Sequence, residues 1–527
     1  MLQIEEKFNL TKQLFVGNNI PFGQSALIWN NNEFTRDELF ENIIKTADYL
    51  LKSGLKQDER IILLLNDTPA IYEFFLGAIA IGAIPVLINP KTKLEDLSYI
   101  LNDSEATSVV SEIRPLKEIE EIFNCSLFLK SRNNIIIQDK YVSNQEIIRK
   151  NKEYFYPRFS KTVFIEEEDL EMTFVVKSKD EPAFWQYTSG TTGKPKAVVH
   201  SQMSMLSNTI NFAQETLKIT SKDRVYSIPK MFFGYGLGNS LFFPIWTGAT
   251  VIIDDHWPSM DRITNIIEKY KPTVFFAVPK IYGALLKYEK EVNYGGVRIF
   301  YSAGSNLNAT VNNKWKEATG KYVTQGIGCT EIGHVYISTI PTKENINATG
   351  VPVQGFNVKL VKEEGEEHGE LYIQPSYKLL GYHGVKNQNK FIEDNWYKTS
   401  DNFSQDKEGD FIFSSRVDDM FKINGRMVVP SVIENYVLEN YAVNEAVFVA
   451  IEDKKMSDVS SYLCITLLDN TTNASVLKGD LERKLSEKFP SYMCPKQVVV
   501  FDGFQYNSNG KIIKKNIIEQ LKEPVLL

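Results

Sequence analysis

The sequence predicts an α/β fold with a large N-terminal domain of layered α/β subdomains and a small, mobile α+β C-terminal domain. Three observations support this prediction. The chain has 527 residues, and hydrophobic cores stop growing well before this length, so two or more domains are expected. Strand-like and helix-like segments alternate along most of the chain, which is typical of parallel sheets covered by helices. Near Asp401 this alternation gives way to a mixed pattern.

The N-terminal part carries the alternating elements. A helix is predicted over residues 35–54, where a capping threonine precedes apolar residues at helical spacing and a glycine closes the segment. Residues 60–65 form an apolar run of strand length. The most apolar stretch, 74–90, is interrupted by Gly82 and Pro85 and is short for a bilayer span, so it predicts a buried helix that enters a buried strand. Two more strand–helix pairs are predicted, at 250–253 with 262–270 and at 273–278 with 281–288.

The C-terminal part is predicted to be a smaller unit in which helices and strands are mixed. Residues 401–413 resemble a hairpin with its turn at 407–409, and a polar string follows. Beyond that string the pattern predicts two helices and three strands, at 431–440, 446–451, 462–467, 481–489 and 497–501. We therefore predict a domain over residues 1–415 and a second domain over 416–527, with the boundary in the charged segment 416–419.

Composition and charge exclude several classes of protein. The formal net charge is −7, so the surface lacks the basic excess of a nucleic-acid-binding protein. The four cysteines are scattered and form no CxxC pair, which is typical of a reducing compartment and argues against a structural zinc site. The first residues are acidic where a secretory signal is basic. These features predict a cytoplasmic enzyme that has neither a nucleic-acid partner nor a membrane partner.

The strongest local signal is the segment 187–196, YTSGTTGKPK. A glycine-rich turn offers backbone N–H groups and hydroxyls to phosphate oxygens, and its lysines add positive charge. It is not a Walker A loop, because only two residues separate Gly190 and Gly193. An ordinary surface loop is the competing interpretation, since clusters of Ser, Thr and Gly are common in loops.

This segment resembles the signature loop of the adenylate-forming superfamily, which contains acyl-CoA synthetases, adenylation domains and firefly-type luciferases. Further segments match the family in its order: YSAGSNL at 301–307, GIGCTE at 326–331, Asp401, RVDDMFKING at 416–425, and the pair Gly510 and Lys511. The resemblance implies a nucleotide site for ATP. Its predicted residues are Thr188, Ser189, Gly190, Thr191, Thr192, Lys196, Gly304, Ser305, Gly326, Ile327, Gly328, Cys329, Thr330, Asp401, Phe413 and Arg416.

The predicted chemistry begins with a carboxylate, which is a poor acyl donor because its leaving group would be oxide. Attack on the α-phosphate of ATP replaces oxide with AMP, and the barrier is largely charge crowding between two anions. Glu331 is the predicted Mg²⁺ ligand, because Mg²⁺ prefers carboxylate and phosphate oxygens. The resemblance assigns Lys511 to bridging the substrate carboxylate and the ribose. Thr192 and His334 complete the predicted catalytic set.

The second half of the reaction transfers the acyl group to a thiol. The resemblance places a hinge at Asp418, where the small domain rotates to remove Lys511 and to bring Lys422 and Gly425 towards the thiol. A glycine lets a pantetheine arm pass close to the backbone. CoA and the phosphopantetheine of a carrier protein end in the same thiol, so both acceptors stay open. A solvated charged linker is the competing interpretation of this segment.

Residues 230–239, KMFFGYGLGN, combine aromatic side chains with glycines, as a binding pocket or a tightly packed core would. With CTEIGH at 329–334, this segment most resembles the benzoate and 4-hydroxybenzoate CoA ligases. The resemblance implies an acid pocket lined by Phe233, Gly234, Tyr235, Gly236, Gly328, His334 and Val335. The predicted substrate is therefore a small aromatic carboxylic acid.

Several residues depart from the family pattern. Gly234 stands where benzoate ligases are expected to have alanine, which predicts space for a larger or substituted ring. The other departures are Cys329 for serine, Ser305 for an acidic residue, and Ser400, Ser415 and Ala197 for glycine. The predicted function is an ATP- and Mg²⁺-dependent, AMP-forming ligase that makes an acyl-CoA, and the resemblance also allows a homodimer. A ligase that loads a carrier protein and a non-catalytic sensor of nucleotide and acid are the alternatives.

Overall fold

The computed structural model describes residues 4–112, 121–122, 124–129, 135–138, 174–189, 194–288, 291–341, 348–362, 366–385, 389–423, 426–441, 443–453, 458–467, 474–505 and 512–522. Within these residues the predicted α/β architecture is present. Three large sheets, a two-stranded sheet of Lys7–Phe8 and Lys177–Ser178, and their helices lie in the described part of the chain up to Arg416. A smaller α+β unit follows.

The first sheet has six strands. Its order is Pro195–Ser201, Pro182–Ser189, Ile84–Leu87, Arg60–Leu64, Ser108–Glu112 and Ile135–Gln138. The last five strands are parallel, and the first is antiparallel to its neighbour. The helix Pro69–Ala80 is buried along its whole length and packs on the helix Arg36–Lys52, as the apolar stretch at 74–90 predicts. Two more helices, Leu10–Val16 and Leu94–Asp103, accompany this sheet.

The second sheet has nine strands. Its order is Val351–Pro352, Val335–Ser338, Val323–Gly328, Ile299–Ser302, Val274–Ala277, Arg224–Ser227, Thr250–Ile253, Ser25–Trp29 and Asn32–Thr35. The six consecutive strands from Val323–Gly328 to Ser25–Trp29 are parallel. The helices of this region are Gln202–Asn208, Gly234–Leu237, Phe243–Thr247, Met260–Tyr270, Pro279–Leu286 and Ala309–Thr319, with π-helical segments at Thr209–Thr216 and Gly238–Phe242.

The third sheet is antiparallel and contains the strands Phe356–Val361, Gly369–Pro375, Phe391–Ile392, Trp396–Gln405 and Phe411–Arg416. The last two strands form the hairpin that the sequence predicts, with Asp401 opposite Arg416. An isolated bridge between Val198 and Tyr382 links the loop before Phe391–Ile392 to the first sheet. The third sheet thus lies beside the strands that flank the glycine-rich loop.

The C-terminal unit has its own hydrophobic clusters, whose members all lie beyond residue 420. Its strands are Phe421–Ile423, Arg426–Val428, Val443–Asp453, Asp458–Leu467 and Gln497–Phe501. Its helices are Pro430–Asn440, Ala474–Lys488 and Lys514–Lys522. The predicted helices and strands of this unit are confirmed, and several extend beyond the predicted bounds. The domain boundary between residues 415 and 416 stays a prediction.

The ends of the helices follow their local sequence. Thr35 and Glu38 form a capping box at the start of Arg36–Lys52, so the predicted helix begins one residue after its cap. The two π-helical segments were not predicted, because their residues also fit an ordinary helical pattern. Among the described residues, none of the helices combines the length and apolar character that a membrane crossing requires.

Candidate active site

The glycine-rich segment connects two paired strands. The strands Pro182–Ser189 and Pro195–Ser201 pair antiparallel, with Thr188 opposite Lys196 and Ser189 opposite Pro195. A loop held by two strands can present its backbone N–H groups to a phosphate. The predicted residues Gly190, Thr191 and Thr192 lie outside the described residues, as does the side chain of Ser189. Their phosphate contacts therefore stay predictions.

Glu331 lies close to the base of this hairpin. Its Oε1 accepts a hydrogen bond of 2.5 Å from the hydroxyl of Tyr382. The ring of Tyr382 lies 5.5 Å from Nζ of Lys196, within the range of a cation–π contact. Burial first, and then the charge of Glu331, raise the pKa of Tyr382 far above its ordinary value. The hydroxyl therefore stays protonated and donates at any physiological pH.

The chemistry of Glu331 fits a magnesium ion. A half-buried carboxylate can supply one ligand oxygen, and the remaining ligands of Mg²⁺ are commonly phosphate oxygens and water. Among the described residues, Asp254, Asp255 and His256 form the one cluster of three potential metal ligands. Their side chains already pair with one another and with Arg262. Glu331 is therefore the better match to a nucleotide-bound cation.

Asp401 and Arg416 form the predicted ribose corner of the site. Nε of Arg416 lies 3.2 Å from Oδ1 of Asp401, across the antiparallel hairpin. The hydroxyl of Tyr336 lies 3.3 Å from Oδ2 of the same carboxylate. Burial first, and then the charge of Asp401, raise the pKa of Tyr336 well above its ordinary value. Ser400 has a φ of +63°, a left-handed conformation that explains why glycine is frequent at this position.

The predicted adenine segments follow two adjacent parallel strands, Ile299–Ser302 and Val323–Gly328. Ligands of α/β sheets bind beyond the carboxyl ends of such strands. Gly304 and Ser305 are exposed, and Gly326, Ile327, Gly328, Cys329 and Thr330 run along the second strand into the turn before Glu331. Burial, and then the charge of Glu331, raise the pKa of the Cys329 thiol well above its ordinary value, so Cys329 is a neutral group.

Phe413 lies on the hairpin near this corner. Its ring packs 5.5 Å from that of Phe403, and its backbone N–H donates to Oγ1 of Thr349 at 3.1 Å. This position places Phe413 on the same strand as Arg416. The structure thus brings Phe413, Arg416 and Asp401 together on one hairpin.

His334 lies in an aromatic cage. Its ring is 4.6 Å from Phe243, 5.2 Å from Phe212 and 5.6 Å from Tyr235. Neither ring nitrogen makes a hydrogen bond of ordinary geometry with the described residues. Burial lowers the pKa of His334 to about 3. A hydrogen-bonding interaction with the Tyr235 backbone raises this pKa, but by less than burial lowers it. The imidazole is therefore neutral and offers both a donor and an acceptor.

The glycines around His334 are needed for space. A methyl group on Gly238 would lie 2.4 Å from Cδ2 of His334, and one on Gly328 would lie 2.4 Å from the carbonyl oxygen of His334. Gly238 belongs to a π-helical segment, a feature common at functional sites. Gly238 was not among the pocket residues predicted from the sequence.

The other predicted pocket residues lie nearby. Phe233, Gly234 and Tyr235 are half-buried, and the Phe233 ring packs 4.5 Å from Phe232. A methyl group on Gly234 would lie 3.1 Å from Oε1 of Gln186 and from the carbonyl oxygen of Gly333. Gly236 packs on the backbone of Lys230, and Val335 is buried opposite Gly328.

Besides Gly238, three site residues were not predicted from the sequence, namely Gln186, Tyr336 and Tyr382. Tyr336 and Tyr382 look like ordinary strand and loop tyrosines in the sequence. Gln186 does carry a signal, because it is the polar residue within the aromatic run AFWQY. A buried polar residue needs a partner, so an isolated glutamine in an apolar strand indicates a functional position.

The predicted hinge and thiol-side residues are described only in part. Asp418 lies in a 3₁₀ turn, Val417–Asp419, and Lys422 lies on the strand Phe421–Ile423. Nζ of Lys514 is 3.1 Å from Oδ1 of Asp419 in the same turn. The side chains of Asp418 and Lys422 lie outside the described residues, as do Gly425 and Lys511. Their roles stay predictions.

Comparisons with known proteins identify the family of the chain. Residues 18–383 match the AMP-binding enzyme family, and residues 432–511 match the AMP-binding enzyme C-terminal domain. The chain is 33% identical to an anthranilate–CoA ligase of Pseudomonas aeruginosa, over 97% of this chain and 96% of the relative. It is 28% identical to a 4-hydroxybenzoate–CoA/benzoate–CoA ligase of Rhodopseudomonas palustris, over 94% and 92% of the two chains.

Solved structures of CoA ligases have the same fold as this chain. A crystal structure of an anthranilate CoA ligase in complex with anthranoyl-AMP superimposes with a TM-score of 0.85 at 25% identity, over 98% of each chain. A benzoate CoA ligase from Burkholderia xenovorans LB400 superimposes with a TM-score of 0.81 at 26% identity, over 97% of this chain and 99% of the other. The predicted fold and the predicted class of AMP-forming acid–thiol ligase are confirmed, and the chain belongs to the AMP-binding enzyme family.

Proposed function

We propose that this protein uses ATP to convert a small aromatic carboxylic acid into an acyl-adenylate and then transfers the acyl group to CoA. One observation carries the proposal: the neutral His334 in its aromatic cage lies three residues from Glu331, beside the predicted nucleotide residues. An aromatic pocket next to a phosphate site suits an aryl acid that reacts with ATP. Relatives named as anthranilate, hydroxybenzoate and benzoate CoA ligases support the same substrate class.

In the first half-reaction, a carboxylate oxygen of the acid attacks the α-phosphorus of ATP. The bond to the bridging oxygen breaks, and pyrophosphate leaves. Lys196 and the loop N–H groups offset the charge of the phosphates, while Glu331 would hold Mg²⁺. Bound Mg²⁺ supplies charge neutralisation on the phosphates. Asp401 and Arg416 hold the ribose end, and the aromatic cage positions the acid, so the protein contributes mainly orientation and counter-charge.

In the second half-reaction, the thiolate of CoA attacks the acyl carbon and AMP leaves with the bonding electron pair. We assign Lys511 to the first half-reaction and Lys422 and Gly425 to the second, with rotation about Asp418 between them. This division lets one active site present two sets of residues in turn. The order of the segments and the family match support the assignment.

Three finer proposals concern the surroundings of the enzyme. CoA is the preferred acceptor over a carrier-protein phosphopantetheine, because the first relatives match as CoA ligases over nearly their whole length. A cytoplasmic location fits the four free thiols. A homodimer is the proposed oligomeric state, and light scattering on the purified protein measures it directly.

The proposal is tested by acid-dependent pyrophosphate release from ATP and Mg²⁺. The panel contains aromatic and aliphatic acids, each with and without CoA. Release with aromatic acids, accelerated by CoA and accompanied by a thioester product, is the expected result. Activity confined to long-chain aliphatic acids would overturn the substrate class. Pyrophosphate release that CoA leaves unchanged would favour a carrier protein as the acceptor. No pyrophosphate release with any acid would favour a non-catalytic sensor.

A further inference from the structure

Gln186 is a buried side chain whose amide has no hydrogen-bond partner among the described residues. Only 2% of the residue is exposed, and neither Nε2 nor Oε1 makes a hydrogen bond. An unpaired buried amide is unfavourable, and native proteins retain few of them. Gln186 lies on the strand Pro182–Ser189, whose end leads into the phosphate loop. The Gln186 amide therefore places an unsatisfied donor and an unsatisfied acceptor at the edge of the active site.

Gly234 lies next to this amide, between aromatic residues that are predicted to line the acid pocket. Gly234 is half-buried and lies between Phe233 and Tyr235, the aromatic residues of the pocket. A methyl group at Gly234 would lie 3.1 Å from Oε1 of Gln186, so a larger residue would crowd the amide. Tyr235 in turn lies 5.6 Å from the ring of His334. Two side chains with unsatisfied nitrogen or oxygen atoms, Gln186 and His334, thus lie next to residues of the predicted acid pocket.

We propose that Gln186 is a specificity-determining residue that binds a polar ring substituent of the aromatic acid, an amino or hydroxyl group. Such a group can donate to Oε1 or accept from Nε2, which matches both unsatisfied atoms. Unsubstituted benzoate would displace water from the amide, but it has no ring substituent that could form a hydrogen bond with the amide in its place. A site that hydrogen-bonds a substrate group discriminates strongly against analogues that lack it. This inference rests on the proposed function and narrows its substrate class to amino- or hydroxybenzoates.

The test is the ratio of kcat/KM for substituted acids to that for benzoate, in the wild type and in Gln186→Met. The panel holds benzoate and its 2-, 3- and 4-amino and hydroxy derivatives. Methionine has the length of glutamine but lacks the amide. The wild type is expected to prefer at least one substituted acid by roughly 10-fold or more. Gln186→Met is expected to lose most of that preference, chiefly through a higher KM for the substituted acid, while turning over benzoate at least as well.

A matched control separates recognition from folding. Gln202 is also 2% exposed, but its amide is satisfied, because Oε1 accepts from Leu10 N–H and Nε2 donates to the Pro182 carbonyl oxygen. Gln202→Met should lower the melting temperature and keep the substrate ratio. Gln186→Met should keep or raise the melting temperature, since it removes an unpaired buried amide.

Each outcome decides one of the two proposals. An unchanged substrate ratio in an active Gln186→Met variant would overturn the role of Gln186 and leave the proposed function standing. A wild type that favours benzoate would do the same. A wild type that turns over none of the aromatic acids would overturn the proposed function, and the inference with it. A marked fall in the melting temperature of Gln186→Met would show that the amide serves the fold instead.

Discussion

The hydroxyl of Tyr382 donates a 2.5 Å hydrogen bond to Glu331, although the two residues are 51 positions apart in the chain. The contact joins the segment before the strand Phe391–Ile392 to the turn that follows Val323–Gly328. The Tyr382 ring also lies 5.5 Å from Nζ of Lys196. One tyrosine thus contacts both charged groups that the sequence assigns to the phosphates and Mg²⁺.

Removing this hydroxyl should weaken Mg²⁺ binding. Tyr382→Phe keeps the ring under Lys196 and deletes one hydrogen bond to the carboxylate, an interaction of about 1.5–3 kcal/mol for a charged partner. We expect pyrophosphate release to fall by roughly 10-fold at limiting Mg²⁺ and the half-saturating Mg²⁺ concentration to rise. Tyr72→Phe, which loses a hydrogen bond to the Ser240 carbonyl oxygen, is the control. A Mg²⁺ titration that matches the wild type would contradict the role of Tyr382.

The Asp401–Arg416 pair should matter for ATP more than for the acid. Asp401→Asn removes the charge opposite Arg416 and replaces one of the two oxygens proposed to accept from the ribose hydroxyls with an N–H donor. The KM for ATP should rise about 10-fold or more, while the KM for the acid stays near its original value. Glu370→Gln, which removes the charge opposite Lys398 in the same sheet, serves as the matched control. An equal rise in both KM values for Asp401→Asn would count against the assignment.

A methyl group at Gly238 should disturb the acid pocket. The added carbon would lie 2.4 Å from Cδ2 of His334, so the ring must move. Gly238→Ala should raise the KM for the acid and lower the melting temperature, with the KM for ATP little changed. Gly283→Ala is the control, because a methyl group there meets nothing within 4 Å and favours the helix Pro279–Leu286. A Gly238→Ala variant with wild-type kinetics would exclude a positioning role for Gly238.

Two buried histidines should make the protein less stable in acid. Burial lowers the pKa of His200 and of His334 to about 3, from an ordinary value of 6.5. The two imidazoles take up protons more readily in the unfolded chain than in the folded one. The free energy of unfolding is therefore unaffected by them above pH 6.5, and it decreases as the pH falls from 6.5 towards 3. His200 stacks on Phe184 at 4.7 Å, so His200→Phe should retain this contact. The melting temperature of the variant should fall less between pH 7 and pH 5 than that of the wild type, and parallel curves would refute the prediction.

Lys511 should serve only the first half-reaction. Lys511→Ala should abolish adenylate formation from ATP and acid, while it largely spares thioester formation from supplied acyl-adenylate and CoA. Asp418→Pro should have the opposite effect if the small domain turns at this residue. Both variants are measured in the two half-reactions separately. Equal loss of the two steps in Lys511→Ala would remove its proposed role, and full overall turnover by Asp418→Pro would remove the hinge.

Features with a local cause were predicted from the sequence. The helix Arg36–Lys52 begins where Thr35 and Glu38 cap each other, three residues apart. The strand Thr250–Ile253 has its predicted bounds, because an apolar run of this length specifies a buried strand. Asp401 and Arg416 were both assigned to the nucleotide site by the family resemblance, and they lie opposite each other on one hairpin. Local capping, periodicity and motif spacing require no knowledge of distant partners.

The class of fold and the family follow from local sequence patterns, and the same patterns predict the phosphate loop. The contacts between distant polar groups became visible only in the folded chain, where Tyr382 contacts Glu331 and the Gln186 amide lies unsatisfied beside Gly234. The difference lies in how far apart in the chain the interacting residues are. Hydrogen bonds and cavities depend on the packing of sheets that are far apart in the chain, whereas helices, strands and loop motifs depend on neighbouring residues.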